Sequence, residues 1–333
     1  MSMSPICNLK ADQMDSESHQ VSENSDLFSK TGRMELIVNP ISGQGKAFRL
    51  LDRIIKVWQS RGWDVHPQCS KNSDDVKRMA REIPDDTQLI AVSGGDGTLN
   101  QILNGLERFD IPIAILPAGT GNVLGKEMGL PKCPLKASIL YEQARVVGVD
   151  MGVCNDRRFI LVIGAGLDGE VVRDVHIGRD WHLSQWHYVP YMLHRVLFCE
   201  FGKVTVYVDG KLFAMDVHDV IVGNTKSYGG PISVTSEASM ADGMFDICAF
   251  RVNNIFHFWQ YGWAALFDRM RKEPGVLYTR GRKVEITSDE PVAYQLDGDP
   301  AGRLPASIEF APWQVKLLWP TRTAEPSQVV REL

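Results

Sequence analysis

The first half of the chain alternates short apolar runs with stretches in which apolar residues recur every three or four positions. Residues 89–92 form one such run, and the apolar residues after it fall at helical spacing: Leu99, Ile102, Leu103 and Leu106. Residues 35–38 and 113–116 are similar runs, each followed by a helical pattern. Strands that alternate with helices are typical of a parallel sheet covered on both faces. The pattern therefore predicts an α/β domain over residues 34–145.

From about residue 146 onwards, short runs rich in β-branched and aromatic residues replace this alternation. Two helical insertions interrupt the runs, at about residues 183–198 and 255–271. Asp209-Gly210 joins two of the runs and is typical of a two-residue hairpin turn. The pattern predicts an antiparallel β-sandwich domain over residues 146–320. Its expected strands are 146–153, 159–163, 204–208, 212–222, 245–252, 284–287 and 315–319.

The two ends of the chain differ from the rest. Residues 1–33 are rich in Ser, Asp, Glu, Asn and Gln and lack the apolar run of a signal peptide, so they predict a disordered tail. Residues 321–333 are expected to be a frayed tail. We find no stretch of 18 or more nearly uninterrupted apolar residues, the length that a membrane span needs.

Composition narrows the class of protein. The chain has 333 residues, of which 44% are hydrophobic and 23% charged, enough for two hydrophobic cores. A net charge of -5 argues against a nucleic-acid partner. The six cysteines show no Cys-x-x-Cys spacing, which argues against a zinc site or a disulfide framework and favours a cytoplasmic location.

Glycine-rich turns follow three of the predicted strands, at residues 39–46, 94–98 and 117–122. The carboxyl ends of parallel strands meet at one edge of a sheet, where ligands bind in open α/β folds. Glycines at a helix N-terminus let backbone N–H groups approach an anion closely. Asp96 would repel a phosphate there unless a divalent cation lies between them or Asp96 handles a proton. The turns therefore predict metal-assisted phosphate chemistry.

In this order, the three turns resemble the catalytic region of the diacylglycerol kinase and sphingosine kinase superfamily, and of bacterial soluble lipid kinases in particular. The resemblance continues through Asn224 with residues 228–230, through residues 238–246 and through residues 297–299. It implies a Rossmann-like or phosphofructokinase-like first domain and an acceptor-binding second domain, with the active site between them. It also implies ATP- and Mg²⁺-dependent phosphorylation of a lipid alcohol, either diacylglycerol-like or of the sphingoid or ceramide type.

The resemblance also assigns roles to residues. Asp96 is expected to position the catalytic Mg²⁺. The residues expected to contact the nucleotide are Asn39, Ser42, Ser70, Gly94, Gly95, Asp96, Gly97, Thr98, Asn100, Thr120 and Asn122. Such kinases carry Asp-Gly-Glu near the C-terminus, where this chain has Asp297-Gly298-Asp299. By family position Asp299 is the proton acceptor, with a side chain one methylene shorter, and Asp297 is near enough to share or replace that role.

Two further Asp-Gly pairs remain open to more than one interpretation. By family position, the Ser239 and Met244 carbonyls and the Asp242 side chain would hold a structural Mg²⁺, a suitable ligand set for this ion. The alternative is a simple turn before the next strand. At Asp168-Gly169 a structural turn is favoured over a role in the substrate cleft.

The expected partners follow from a lipid substrate. The aromatic segments 181–191 and 255–263 are either core or transient contacts with a membrane surface, and a peripheral enzyme that forms a homodimer is compatible with the chain. Two other functions stay open. One is a soluble-metabolite kinase of the NAD kinase or phosphofructokinase type, and the other is a catalytically inactive regulator that binds lipid or nucleotide.

Overall fold

The computed structural model describes residues 32–177, 188–198, 202–229, 232–252, 255–267 and 269–321. The prediction of a disordered tail over residues 1–33 lies outside these ranges except for its last two residues, and that of a frayed tail over 321–333 lies outside them except for residue 321. Part of the helical insertion predicted at residues 183–198 and part of the aromatic segment 181–191 also lie outside the described ranges.

The described residues form strands and helices in the following chain order. The strands are β1 (Arg33–Val38), β2 (Asp64–Cys69), β3 (Thr87–Gly94), β4 (Ile113–Pro117), β5 (Ala144–Val149), β6 (Gly152–Cys154), β7 (Arg157–Phe159), β8 (Val162–Gly166), β9 (Val204–Val208), β10 (Lys211–Val217), β11 (Asp219–Gly223), β12 (Ser227–Gly229), β13 (Ile232–Ser233), β14 (Phe245–Phe250), β15 (Val276–Gly281), β16 (Val284–Thr287), β17 (Ala293–Leu296), β18 (Asp299–Arg303), β19 (Ala306–Phe310) and β20 (Val315–Pro320). The α-helices are α1 (Ser42–Arg49), α2 (Leu51–Gln59), α3 (Ser73–Arg81), α4 (Asp96–Gly105), α5 (Val123–Glu127), α6 (Pro134–Leu140), α7 (Leu167–Ile177), α8 (Tyr188–Phe198) and α9 (Ile255–Leu266), and a 3-10 turn spans Met270–Lys272.

The first domain is built on a six-stranded sheet in the order β2-β1-β3-β4-β20-β5. Strands β2, β1, β3, β4 and β20 run parallel, and β5 is antiparallel to β20. The central strands are buried along nearly their whole length, as expected of a sheet with helices on both faces. The predicted α/β domain is confirmed.

Strand β20 differs from the sequence-based expectation. The run at residues 315–319 was assigned to the second domain, as was the run that begins at residue 146. The structure instead pairs β20 with β5 and β4, so the end of the chain returns to the first sheet. Alternating apolar residues report that a strand has a buried face, but they do not report which sheet it joins.

The second domain is an antiparallel sandwich, as predicted. Its two six-stranded sheets have the orders β10-β9-β16-β19-β6-β7 and β15-β14-β11-β8-β17-β18. A common core lies between them, in which the ring of Phe245 stacks on those of Phe159 and Phe310. The hairpin turn is also confirmed, because Asp209 and Gly210 have φ values of 49° and 76° between β9 and β10.

Helices α7, α8 and α9 accompany the sheet that contains β11 and β14. Val171 and Val175 of α7 and Tyr261 of α9 share a buried cluster with residues of these strands. Helices α8 and α9 match the two predicted insertions, but α7 was not predicted. Asp168-Gly169, interpreted as a turn, lies in the first turn of α7. The β-branched residues that follow obscured the helical spacing.

The structure reveals no helix, within its described residues, that is long and apolar enough to cross a membrane.

Candidate active site

The three glycine-rich turns meet at the carboxyl edge of the first sheet. The backbone N–H of Asn39 donates to the Ser93 carbonyl at 2.9 Å, and its side-chain amide donates to the Thr98 hydroxyl at 3.1 Å. The N–H of Ala118 donates to the Gly94 carbonyl at 2.9 Å. The turns after β1, β3 and β4 are therefore joined by direct hydrogen bonds.

Close backbone contacts explain why these turns contain glycine. A Cβ on Gly119 would lie 2.6 Å from the Cα of Gly95, and a Cβ on Gly43 would lie 2.1 Å from the Ala118 carbonyl oxygen. Gly43 also has φ +58°, a left-handed conformation that favours glycine. The turns thus form a surface of bare backbone, which suits the close approach of phosphate oxygens.

Asp96 connects two of the turns. It begins α4, and its carboxylate oxygens accept the backbone N–H groups of Val123 at 2.9 Å and Leu124 at 3.2 Å, at the start of α5. Burial of the carboxylate raises its pKa, against the opposing effects of these hydrogen bonds and of Lys126. Each carboxylate oxygen has a second lone pair. Asp96 can therefore hold α5 in place and still offer an oxygen to a ligand.

Mg²⁺ beside Asp96 would need the bound nucleotide to supply some of its ligands. Within the described part of the chain, no three His, Cys, Asp or Glu side chains group together as a metal site. Mg²⁺ at kinase sites is commonly held by one or two carboxylates together with phosphate oxygens and waters. Asp96 at the glycine surface suits that arrangement, in which the bound nucleotide supplies ligands.

Asp297 is a structural carboxylate. Although the residue as a whole is half-buried, its carboxylate lies inside the protein, and desolvation raises its pKa to about 6. Four donors contact it at 2.8–3.0 Å: the backbone N–H groups of Ile160, Leu161 and Val162 and the side-chain amide of Asn100. These bonds occupy the carboxylate and connect α4 to the second domain.

Asp299 has a different environment from Asp297. It begins β18 and is half-buried, and its Oδ2 lies 3.8 Å from the position that a Cβ on Gly97 would take. Its carboxylate therefore lies near Gly97, in the first turn of α4. Despite its shorter side chain, Asp299 still reaches the glycine-rich turn.

Asn100, whose nucleotide contact stays a prediction, is hydrogen-bonded toward the second domain. Its side chain is buried and donates to Asp297 at 2.8 Å and to the Arg158 carbonyl at 3.3 Å. The next turn of α4 continues this contact, since Asn104 donates to the same carbonyl and accepts the Arg158 N–H, both at 2.9 Å. Asn100 therefore connects the two domains.

The remaining predicted nucleotide contacts differ in exposure. Thr120 is exposed and Ser42 is half-buried. Ser70 is buried beside β1, where its N–H and hydroxyl both donate to the Val38 carbonyl, at 2.9 and 3.4 Å. Asn122 has φ 47° and donates to the Gly119 carbonyl at 2.6 Å, while its buried Oδ1 has no hydrogen-bond partner within the described residues. That oxygen faces the turn, 3.1 Å from the position that a Cβ on Gly119 would take.

The predicted structural magnesium loop contains an ion pair. Asp242 accepts the Met244 N–H at 3.1 Å and pairs with Arg280 through its other oxygen, while Ser239 is exposed. Arg280 thus supplies the positive charge that a metal would bring. The loop fits Mg²⁺ poorly in this arrangement, and a metal there stays a prediction.

A buried polar chain that sequence reasoning missed ends at the loop before Asp299. The Asp168 carboxylate accepts hydrogen bonds from the Tyr228 hydroxyl and from the Gln295 amide, the latter at 2.9 Å. Gln295 in turn accepts the Gly298 N–H at 2.7 Å. Burial raises the pKa of Asp168. The sequence signals were the Asp168-Gly169 pair and the Tyr228-Gly229-Gly230 motif, neither of which points to its partners.

Both halves of the chain match domains of known proteins. Residues 33–154 match the diacylglycerol kinase catalytic domain, and residues 161–319 match the YegS C-terminal NAD kinase beta sandwich-like domain. A diacylglycerol kinase of Bacillus subtilis (strain 168) is 27% identical over 297 residues, which cover 88% of this chain and 98% of that protein. One of Staphylococcus carnosus (strain TM300) is 28% identical over 281 residues, which cover 83% and 91%.

A solved structure shares the whole fold. The crystal structure of a diacylglycerol kinase from Bacillus anthracis str. Sterne superposes with a TM-score of 0.71 at 26% identity, covering 87% of this chain and 98% of that one. Fold and turns together define a two-domain kinase. The chain thus combines a diacylglycerol kinase catalytic domain with a YegS C-terminal NAD kinase beta sandwich-like domain.

Proposed function

We propose that this protein transfers the terminal phosphoryl group of ATP to the hydroxyl of a lipid alcohol, either diacylglycerol-like or of the sphingoid or ceramide type. The observation that carries the proposal is the position of Asp299, whose carboxylate lies near Gly97 of the glycine-rich turn. The proposed base and the proposed phosphate-binding surface would thus lie close together. The match of residues 33–154 to the diacylglycerol kinase catalytic domain supports the same reaction.

The glycine surface would bind the nucleotide phosphates. Backbone N–H groups of the turn and the helix dipole of α4 favour the negative charge, and Thr98 and Asn39 add polar groups at its edge. Asp96 would hold Mg²⁺, which when bound neutralises charge on the transferring phosphoryl group. The same carboxylate keeps α5 aligned with α4.

Asp299 would accept the proton of the lipid hydroxyl. As the hydroxyl oxygen bonds to the terminal phosphorus, the bond from that phosphorus to its bridging oxygen breaks, ADP leaves, and the proton passes to Asp299. Asp297 is poorly placed for this work because four donors already occupy its carboxylate. We therefore assign Asp297 to holding the loop and Asp299 to the reaction.

One observation favours the second candidate function. The carboxylate that faces the turn belongs to Asp, where such kinases carry Glu, and a base that fails to reach the hydroxyl would leave an inactive protein that binds lipid and nucleotide. A soluble-metabolite kinase has less support, because the match to the diacylglycerol kinase catalytic domain spans residues 33–154. A homodimer and a cytoplasmic, membrane-peripheral location stay predictions.

The test is a transfer assay with labelled ATP and Mg²⁺ on short-chain diacylglycerol, sphingosine, short-chain ceramide, NAD and fructose 6-phosphate. We expect label in one of the lipids and loss of at least about a hundredfold in turnover for Asp299→Asn. Transfer to NAD or fructose 6-phosphate alone would refute the lipid substrate. Nucleotide binding without transfer to any acceptor, unchanged by Asp299→Glu, would establish the inactive regulator.

A further inference from the structure

Helix α9 carries large apolar side chains on two opposite faces. On one face Tyr261, Ala264 and Ala265 are buried in the cluster beneath the helix. On the other face large side chains remain exposed: Phe256 by 78%, Trp259 by 53%, Trp263 by 59% and Leu266 by 43%, followed by Phe267 by 62%. Their spacing of three or four residues places them along one stripe. We call Phe256, Trp259, Trp263, Leu266 and Phe267 the α9 stripe.

This stripe is unusual for a surface in water. The twelve residues of α9 include no Asp, Glu, Lys or Arg. At 1.5 Å per residue the helix is roughly 18 Å long, too short to cross a bilayer but long enough to lie in its surface. Tryptophan and phenylalanine are typical of helices that rest in the headgroup region, since an indole ring combines an apolar body with one polar N–H.

Basic residues follow the stripe after one acidic residue, Asp268. Arg269 and Lys272 are exposed at the C-terminal side of α9, within and beside the 3-10 turn. Of their charged neighbours, Arg271 pairs with Glu237, and Glu273 accepts a hydrogen bond from Gln260 at 2.7 Å. Arg269 and Lys272 are thus placed to meet anionic headgroups when the stripe enters a membrane surface.

The stripe is also connected to the active-site region through packed elements. Helix α9 contacts β13, β13 pairs with β12, and β12 contacts α5, whose first N–H groups hold Asp96. Ser227 of β12 donates to Glu127 of α5 at 3.1 Å. Helix α8 lies beside α9 and ends in the exposed Phe198. A membrane surface that contacts the stripe would therefore lie against the domain proposed to bind the lipid acceptor.

We propose that the α9 stripe, with Arg269 and Lys272, docks the protein in the plane of an anionic lipid bilayer. The aromatic rings enter the headgroup region, and the two basic side chains contact the lipid phosphates. The docking itself needs no catalysis. Its purpose, to give the active site access to a membrane-borne alcohol, rests on the proposed function.

Binding to vesicles measures the docking without any substrate turnover. The full chain is sedimented with vesicles of phosphatidylcholine alone or with a third of phosphatidylglycerol, without ATP. We expect Phe256→Ala combined with Trp263→Ala to lower the partition coefficient on anionic vesicles at least about tenfold. Arg269→Gln with Lys272→Gln should lower it by about fivefold or more on anionic vesicles and leave binding to phosphatidylcholine unchanged.

Matched controls use similar residues elsewhere on the surface. Leu212→Ala with Met215→Ala removes exposed apolar side chains from β10, and Arg53→Gln with Lys56→Gln removes exposed charges from α2. Both controls should bind vesicles as the wild type does. Equal losses in the controls and the stripe variants, or wild-type binding by the stripe variants, would overturn the proposal.

Two further readouts separate docking from the other possibilities. Phosphorylation of a dispersed short-chain lipid should be unchanged in the stripe variants, while phosphorylation of the long-chain lipid in vesicles falls with the partition coefficient. If no lipid is phosphorylated by the wild type, the proposed function fails, but the vesicle measurement still decides the docking. If the stripe variants change the sedimentation mass of the protein and leave vesicle binding intact, the stripe joins two copies of the chain and the proposal is wrong.

Discussion

Asp297 and Asp299 are two residues apart, yet we expect Asp297→Asn to change mainly stability and Asp299→Asn mainly turnover. The Asp297 carboxylate accepts four hydrogen bonds, three from backbone N–H groups and one from Asn100. An asparagine there keeps one acceptor oxygen and turns its own N–H groups toward the remaining donors. Asp299→Asn removes a carboxylate near Gly97 and breaks no side-chain hydrogen bond within the described residues.

The decrease in the free energy of unfolding caused by Asp297→Asn should depend on pH. Burial raises the Asp297 pKa to about 6 from an ordinary 3.8. This difference of about two units corresponds to about 3 kcal/mol. Because the folded protein binds this proton more tightly than the unfolded chain does, the associated stability is fully present below about pH 4 and is lost as the pH rises through about 6.

The magnitude at neutral pH is a balance of two effects. Two hydrogen bonds to a charged acceptor are lost, which costs about 3–6 kcal/mol. The raised pKa already includes these hydrogen bonds, so removing the buried charge offsets most of this loss at neutral pH. The free energy of unfolding at pH 7 should therefore change by less than about 3 kcal/mol. Since asparagine does not titrate, the loss should be larger by about 3 kcal/mol at pH 4.

Urea unfolding of wild type, Asp297→Asn and Asp299→Asn between pH 4 and 7.5 measures these differences. Asp299→Asn is the matched control, because it makes the same chemical change two residues away. Its free energy of unfolding should stay within about 0.5 kcal/mol of the wild-type value, and its turnover should fall about a hundredfold or more. Asp297→Asn should keep turnover within about tenfold wherever it is folded. A pH-independent difference for Asp297→Asn would refute the buried charge, and loss of turnover in Asp297→Asn alone would reverse the two roles.

Four further predictions address the remaining parts of the site. Asp96→Asn should lower turnover about a hundredfold with nucleotide affinity largely kept, measured by transfer rate and calorimetric titration. Gly119→Ala should weaken nucleotide binding about tenfold because its Cβ meets backbone, whereas Gly262→Ala, where nothing lies within 4 Å, should bind normally in the same titration. Gln295→Leu should lower kcat more than it changes KM, since it releases the loop that carries Asp299; an unchanged kcat would make the buried chain purely structural. Asp242→Ala should lower the melting temperature equally with and without Mg²⁺ if the ion pair stabilises the loop, whereas a wild-type-specific rise with Mg²⁺ would establish the metal.

The first domain was largely predictable because its signals are local. An apolar strand, a glycine-rich turn and a helical pattern lie next to one another in the chain, so the contact among residues 39, 94 and 118 follows from the geometry of a parallel sheet. Strand β20 was misplaced because its partners, β4 and β5, are far away in sequence. Helix α7 was missed because its valines match the composition of a strand as well as the spacing of a helix.

The sequence predicts which residue types form the candidate site, but not which partners each side chain contacts. The sequence places Asp297 and Asp299 together, but it does not report that one carboxylate is enclosed by donors from β8 and the loop before it. Nor does it show that Asn100, next to the nucleotide motif, turns to the second domain. Burial and hydrogen-bond partners set what a carboxylate can do, and both depend on tertiary contacts that lie 60 to 200 residues apart in the chain.

Helix α4 connects the two halves of the candidate site. It begins at Asp96, and its fifth residue, Asn100, holds Asp297, while Arg158 of the second domain donates to the carbonyls of Leu103 and Leu106, each at 2.8 Å. The middle and the C-terminal end of the helix are thus hydrogen-bonded to the second domain. These bonds connect the helix that follows the glycine-rich turn to the loop that carries the proposed base. A site organised in this way before substrate arrives needs little rearrangement in the transition state.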